Sequence, residues 1–145
     1  MNLAELLALA HQRPLVDAEL AELNQAATGL SQHLGIRLTY VAVDKAEAQL
    51  DIAACHLQPF GLVNGGVYCS IGETLGSLAG AVAAGKPVVG VSNSTQFFRS
   101  AREGKIEAVA TALHVGRRTQ SWEISMTQAG KLLAKTSLQT LVLEA

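Results

Sequence analysis

Charge is scarce in this chain. Asp, Glu, Lys and Arg make up 16% of its 145 residues, so much of the surface must be apolar and suited to burial in an oligomer. The two signs nearly cancel, with 11 basic and 12 acidic residues, and the basic ones form no block. That argues against a nucleic-acid partner. Cysteine is rarer still. Cys55 and Cys69 form no C-x-x-C pair and no zinc-like grouping with the histidines. They read as small buried hydrophobes in a reducing, cytoplasmic setting. No metal and no resident cofactor is expected. The N-terminus lacks a basic region ahead of an apolar run and places Glu5 there instead, so no secretory signal is expected.

Long stretches without charge are present, and they need explaining. From Ile52 to Gly85 the one residue formally charged at neutral pH is Glu73. The weakly polar run from Leu62 to Ala84 has the length of a membrane span. Its many glycines, Asn64, Glu73 and its hydroxyl residues argue instead for a buried helix and against a membrane partner.

The length suits one domain with a sizeable core. Leu3, Leu6, Leu7 and Ala10 follow helical spacing up to Pro14. Asp17 is a candidate cap for a second helix, with Leu20, Leu23, Ala27 and Leu30 on one stripe and Gly35 at its end. Ile36, Leu38, Tyr40 and Ala42 then alternate as in a strand, and Ala48, Leu50 and Ile52 alternate again. Asp44-Lys45 is the turn between them.

Gly65 to about Ala84 reads as a helix with Ile71, Leu75, Leu78 and Val82 on one stripe. A second, small and polar stripe holds Gly66, Ser70, Glu73, Ser77 and Gly80. Gly72, Gly76 and Gly80 are expected to admit another backbone closely, such as the central helix of a second subunit. Four strands follow: Val88–Arg99, Lys105–Val115, Thr119–Thr127 and Leu132–Leu143. Their short turns favour antiparallel pairing. A helix apolar on most sides must be wrapped. The expected class is therefore α+β, a hotdog fold in which a curved antiparallel sheet wraps one long helix. Residues 1–34 would form an N-terminal helical segment and residues 35–145 the hotdog domain, one domain overall.

Glu73 is the chemical question. Asn64 is a good N-cap, and Gly65-Gly66 form the first helical turn, where backbone N–H groups lack intrahelical acceptors. They sit at the positive end of the helix dipole, open to a developing oxyanion. Glu73 lies ~12 Å further along the axis at the α-helical rise. Reacting atoms must come within roughly 3–3.5 Å, so Gly65 and Glu73 of one helix cannot serve one carbonyl. A two-fold dimer with antiparallel central helices brings Gly65 of one subunit opposite Glu73 of the other. Glu73 then attacks a polarised carbonyl or deprotonates a water, and Ser77, one turn on, orients the carboxylate or the water.

The run Asn64-Gly65-Gly66-Val67-Tyr68-Cys69-Ser70-Ile71-Gly72-Glu73 resembles the hotdog-fold acyl-CoA thioesterases, in particular the phenylacetate-pathway and hydroxybenzoyl-CoA thioesterase branch. The family pattern there is His-Gly-Gly followed by an acid on the helix. Val88 to Arg99 looks like the family's strand after the helix, and Gly116-Arg117-Arg118 like its later turn. The resemblance implies hydrolysis of an aromatic or medium-chain acyl-CoA, with the Gly65 N–H polarising the thioester and Glu73 of the neighbouring subunit as nucleophile or base. It implies that Gln58 holds the thioester. It places the phosphates of coenzyme A near Arg99, Arg102, Arg117 and Arg118, whose forked donors suit them. It also implies a homodimer, and a tetramer built of two dimers. Asn64 departs from the family's His. It can cap and donate, but it does not titrate near neutrality.

Two other readings stand beside this one. His56 with Glu73 would suit a hotdog enoyl-thioester hydratase or dehydratase, although the loop His56-Leu57-Gln58-Pro59-Phe60-Gly61 lacks a His-Phe-Pro-Gly pattern. A non-catalytic acyl-CoA-binding module is the other, since a fold alone does not fix a function. His11, His33 and His114 lack ligand spacing, and Trp122 with Ile124 and Met126 reads as sheet packing.

Overall fold

The computed structural model describes residues 1–144. Three helices, Leu3–Gln12 (α1), Asp17–Ala26 (α2) and Leu30–Leu34 (α3), precede the strands Arg37–Val41 (β1) and Lys45–Asp51 (β2). A 3-10 turn, Ala54–His56, leads into the long helix Gly65–Ala84 (α4). The strands Val88–Phe97 (β3), Lys105–Val115 (β4), Thr119–Gln128 (β5) and Lys131–Val142 (β6) complete the chain. All six strands form one curved antiparallel sheet in the order β1-β2-β4-β5-β6-β3. This is the expected hotdog arrangement. Within the chain β3 pairs only with β6, so its far edge is open.

Among the described residues, α4 is the one helix long and apolar enough to cross a bilayer. The sheet wraps it instead. Val67, Ile71, Leu75, Ala79 and Val82 are buried with Ile124, Met126, Leu133 and Leu138 in one continuous core.

The helix glycines have a different partner from the expected one. Gly72, Gly76 and Gly80 are buried against the protein's own sheet. Gly72 lies on Thr136, Gly80 on Gln120 and Gly76 on Leu138 and Ile124. The missing side chains let α4 sink onto β5 and β6; they do not prepare a face for a second helix. Gln120 completes the floor. It donates to the Gly80 carbonyl at 3.1 Å and accepts from the Trp122 indole at 2.9 Å and the Thr140 hydroxyl at 3.0 Å. A buried amide so paired avoids the desolvation penalty of an unmade hydrogen bond.

Local rules explain the N-terminal helices, with corrections. Asn2 caps α1 by accepting from the Glu5 N–H, and Glu5 reaches back to the Asn2 N–H. Asp17 does not cap α2. Val16 holds the cap position, and its N–H donates to Glu19 at 2.9 Å. The expected single helix from Asp17 to Gly35 breaks at Gly29, whose φ of 88° is left-handed, and Leu30 is left exposed. His11 Nδ1 meets the Val82 carbonyl at 2.6 Å and fastens α1 to the last turn of α4.

The first hairpin departs from simple alternation. A register shift between Leu38 and Tyr40 inserts one extra residue in β1. Leu38 and Val41 therefore face the core while Tyr40 does not, because one added residue exchanges the faces that follow. The cysteines also differ from expectation: Cys55 is exposed and Cys69 half-buried, both as free thiols.

Two outcomes test this packing. Gly76→Ala places a Cβ 2.5 Å from Leu138 Cδ2 and 3.0 Å from Ile124 Cδ1. It should lower the unfolding free energy by about 1–3 kcal/mol in urea titrations. The second concerns Glu19. The Arg13 guanidinium, then the Val16 N–H, hold its carboxyl down to about 2 from an ordinary 4.5. The unfolded chain takes up that proton first, so the contribution is full above pH 4.5 and is lost as pH falls through about 2. The Tm difference between wild type and Glu19→Gln should hold at neutral pH and close over that window.

Candidate functional site

Asn64 is built into the start of α4 from both sides. Its N–H donates to the His56 carbonyl at 2.8 Å, which ties the preceding loop to the helix entry. Its side-chain oxygen accepts from the Gly66 N–H at 2.8 Å. That bond corrects one expectation: Gly66 is satisfied and is not an open donor. Among the described residues the Gly65 N–H has no acceptor. It is an unpaired donor at the positive end of a 20-residue helix.

Gly65 lines an open cleft of about 340 Å³ with Gln58, Tyr68, Phe97, Phe98 and Arg99. The Phe97 ring lies over Gly65, so that a built Cβ there would stand 2.7 Å from its Cζ. Gln58 spends its side-chain oxygen on the Phe60 N–H. Its amide nitrogen makes no hydrogen bond among the described residues.

Glu73 does not line this cleft. It sits about two turns along α4, exposed in the isolated chain, with its carboxylate against the backbone of β3 at Gly90. A Cβ on Gly90 would lie 2.5 Å from one carboxylate oxygen and 2.8 Å from the other. Glycine at position 90 is therefore what lets the acid lie flat on the strand. Ser77 donates its hydroxyl to Glu73 at 3.3 Å. Among the described residues no basic group pairs with Glu73.

The four arginines divide into two pairs. Arg99 lines the Gly65 cleft, and Arg102 reaches the Phe60 carbonyl at 3.4 Å beside it. Arg117 and Arg118 occupy the β4–β5 turn, where the Arg118 carbonyl accepts from the Val142 N–H at 2.8 Å. Val142 pairs with Val88, and Phe97 with Ala134, at opposite ends of β3. Those ends are ~30 Å apart at the rise of a strand. One chain therefore does not gather all four arginines at one place.

His56 is structural. It is buried, Nδ1 accepts from the Ala53 N–H at 2.9 Å, and Nε2 meets the Leu34 carbonyl at 2.6 Å. Both ring nitrogens are engaged with backbone, so no nitrogen is left to act with Glu73 as a dehydratase base.

Several site residues escaped the sequence reading. Tyr68 is buried in the cleft wall, its ring 5.9 Å from that of Phe97. Its hydroxyl has no partner, and burial pushes its pKa up. Asn93 donates to the Cys69 carbonyl at 3.0 Å, and Thr95 donates to Asn93 at 2.8 Å, which locks β3 onto α4 between Gly65 and Glu73. The available signal was the doublet Phe97-Phe98 beside Arg99, and an Asn in an otherwise strand-like run.

Comparison with known proteins shows the family of the chain. Residues 60–135 match the profile of the thioesterase superfamily. The chain is 37% identical over 128 residues to the proofreading thioesterase EntH of Cronobacter turicensis, covering 86% of this chain and 93% of that one. A thioesterase structure from Haemophilus influenzae superposes with a TM-score of 0.81 at 36% identity, covering 86% of this chain and 90% of its own. A mutant thioesterase from Pseudomonas aeruginosa gives a TM-score of 0.80 at 29% identity, with 86% and 93% covered.

Proposed function

This chain belongs to the thioesterase superfamily and is a thioester hydrolase; from that premise we propose that it cleaves acyl-CoA across the interface of a homodimer, with Glu73 of one protomer and the Gly65 N–H of the other. The observation that carries this is the pairing of an open N–H and an open carboxylate on one rigid helix, too far apart to share a carbonyl.

The free edge of β3 supplies the closure. Gly65 lies against Phe97 and Glu73 against Gly90. Two β3 edges running antiparallel, with Phe97 opposite the partner's Gly90 and Asn93 opposite the partner's Ser94, bring Gly65 to the partner's Glu73. The same register sets Arg99 opposite the partner's Val88. The β4–β5 turn of that partner, with Arg117 and Arg118, then lies near Arg99 and Arg102. The separated arginines become one phosphate-binding group only in the dimer. An unpaired ten-residue edge strand is also a surface that a stable protein must cover. Val89 and Leu141, exposed cross-strand neighbours, offer apolar surface for a second dimer.

The chemistry follows from the parts. The thioester carbonyl oxygen accepts from Gly65 at the α4 N-terminus, and Gln58 holds the thioester with its free amide nitrogen. Glu73 then acts in one of two ways. As nucleophile it forms an acyl-carboxylate anhydride, expels coenzyme A as thiolate, and is freed by water. As base it takes a proton from water, the hydroxide adds, and the tetrahedral oxyanion collapses with loss of the same thiolate. Single turnover in heavy-oxygen water separates the two, since only the anhydride route can leave label in Glu73. Ser77 orients the carboxylate in either route. The scheme requires no metal or cofactor beyond the coenzyme A of the substrate. Two free thiols suit a reducing cytoplasm.

Thiol-release assays test the assignment. Glu73→Gln should lower kcat by about 10²–10⁴-fold. Gly65→Pro removes one N–H from a position where proline is well tolerated, since Asn64 already has φ −62° and ψ 135°. It should cost roughly 10²–10³-fold in kcat. Gly65→Ala displaces the same Phe97 ring but keeps the donor, and should retain most of the activity.

A further inference from the structure

Among the described residues, Tyr68 alone has a buried side-chain polar atom with no hydrogen-bond partner. The residue is 3% exposed. A buried hydroxyl left unpaired costs stability, so its presence calls for a physical reason. The polar groups around it at the start of α4 are already engaged. The Asn64 side chain takes the Gly66 N–H, and the Ser70 hydroxyl donates to the Gly66 carbonyl at 2.8 Å. We propose, building on the roles given above to Gly65 and Glu73, that the Tyr68 hydroxyl donates a hydrogen bond to the oxyanion formed when the thioester carbonyl is attacked.

The placement supports this. Tyr68 follows Gly65 by three residues, which sets both on one face of α4. Helical side chains lean toward the helix N-terminus, so Tyr68 covers the turn that Gly65 opens. Both residues line the same cleft. Phe97 touches both: its ring lies over Gly65, and its centroid is 5.9 Å from that of Tyr68. Phe97 is itself exposed, whereas Tyr68 is packed into the core. A substrate that pushes the Phe97 ring aside uncovers the N–H and the hydroxyl together.

The backbone leaves room for such a donor. With Gly66 satisfied, the helix entry offers the single N–H of Gly65. A planar carbonyl oxygen has two lone pairs, which Gly65 and Gln58 fill in the proposed complex. The tetrahedral oxyanion has a third. A donor that meets only that third pair binds the transition state better than the substrate and acts on kcat. Arg99 is the one charged residue lining the cleft. Burial pushes the phenol's pKa up, so the group keeps its proton and remains a donor across the neutral range. No proton leaves Tyr68 in this step; coenzyme A still departs as thiolate.

Tyr68→Phe removes the oxygen and keeps the ring. In thiol-release assays it should lower kcat by about 10²-fold, the scale of one oxyanion donor, with KM nearly unchanged. The loss should be equal for acetyl-, octanoyl- and benzoyl-CoA, because all three present the same carbonyl oxygen. Tm should hold or rise, since the lost hydroxyl had no partner. A kcat within about threefold of wild type would overturn this role. So would a loss confined to one ester, which marks an acyl contact, or a loss accompanied by a lower Tm, which marks a structural hydroxyl. Fluorotyrosine at position 68 gives a second readout. It ionises at lower pH and a phenolate cannot donate, so the alkaline fall of kcat should move to lower pH; an unmoved profile contradicts the role. Glu73→Gln and Gly65→Pro run alongside separate the two levels. If both cut turnover while Tyr68→Phe does not, Tyr68 alone loses its role. If either leaves turnover intact, the reading of the site falls and takes Tyr68 with it.

Discussion

The architecture depends on the rigidity of α4. A helix fixes the distance between any two of its residues, and here it holds an unpaired N–H and an acid ~12 Å apart. Neither can approach the other without unwinding a helix whose glycines are seated directly on β5 and β6. A reaction that needs both groups within a few ångströms of one carbonyl must therefore recruit a second copy of the chain. The open edge of β3 and the scarcity of surface charge fit that requirement.

β3 connects the fold to the chemistry. Asn93 and Thr95 lock it to α4, Gly90 gives Glu73 a place to lie, and Phe97 covers Gly65. The strand that carries these contacts also has the unsatisfied edge. Any change in how two β3 edges meet would move the acid relative to the donor by a strand register, ~3.3 Å per residue. In the proposed dimer, pairing register and catalytic geometry are thus one constraint.

The long helix, the succession of helices and strands along the chain and the Asn64-Gly65-Gly66 entry were legible because each rests on local rules: a helical period, alternation, and a capping residue before two glycines. The glycine spacing was legible as close packing but not as packing against which surface, since a gap in a side-chain row does not name its occupant. Thr136, Leu138 and Gln120 come from strands 40 or more residues later in the chain. The bulge in β1 was hidden because both registers of Ile36 to Val43 present apolar residues. Leu30 looked like a helix stripe residue until Gly29 interrupted the helix with a positive φ. His56 could be read as chemistry or as structure from its position, and only its two backbone partners decide. Tyr68 lay on the apolar side of α4 and gave no sign that its hydroxyl would be unpaired.

Subunit complementation tests the shared site most directly. Glu73→Ala and Gly65→Pro proteins, each inactive alone, are mixed under conditions that allow subunits to exchange. A heterodimer then holds one site with both wild-type groups and one with neither. Random exchange should restore about a quarter of wild-type turnover, because half of the dimers carry one competent site of two. Activity that stays at the level of the separate variants, with exchange verified by mass, would contradict a site assembled from two chains.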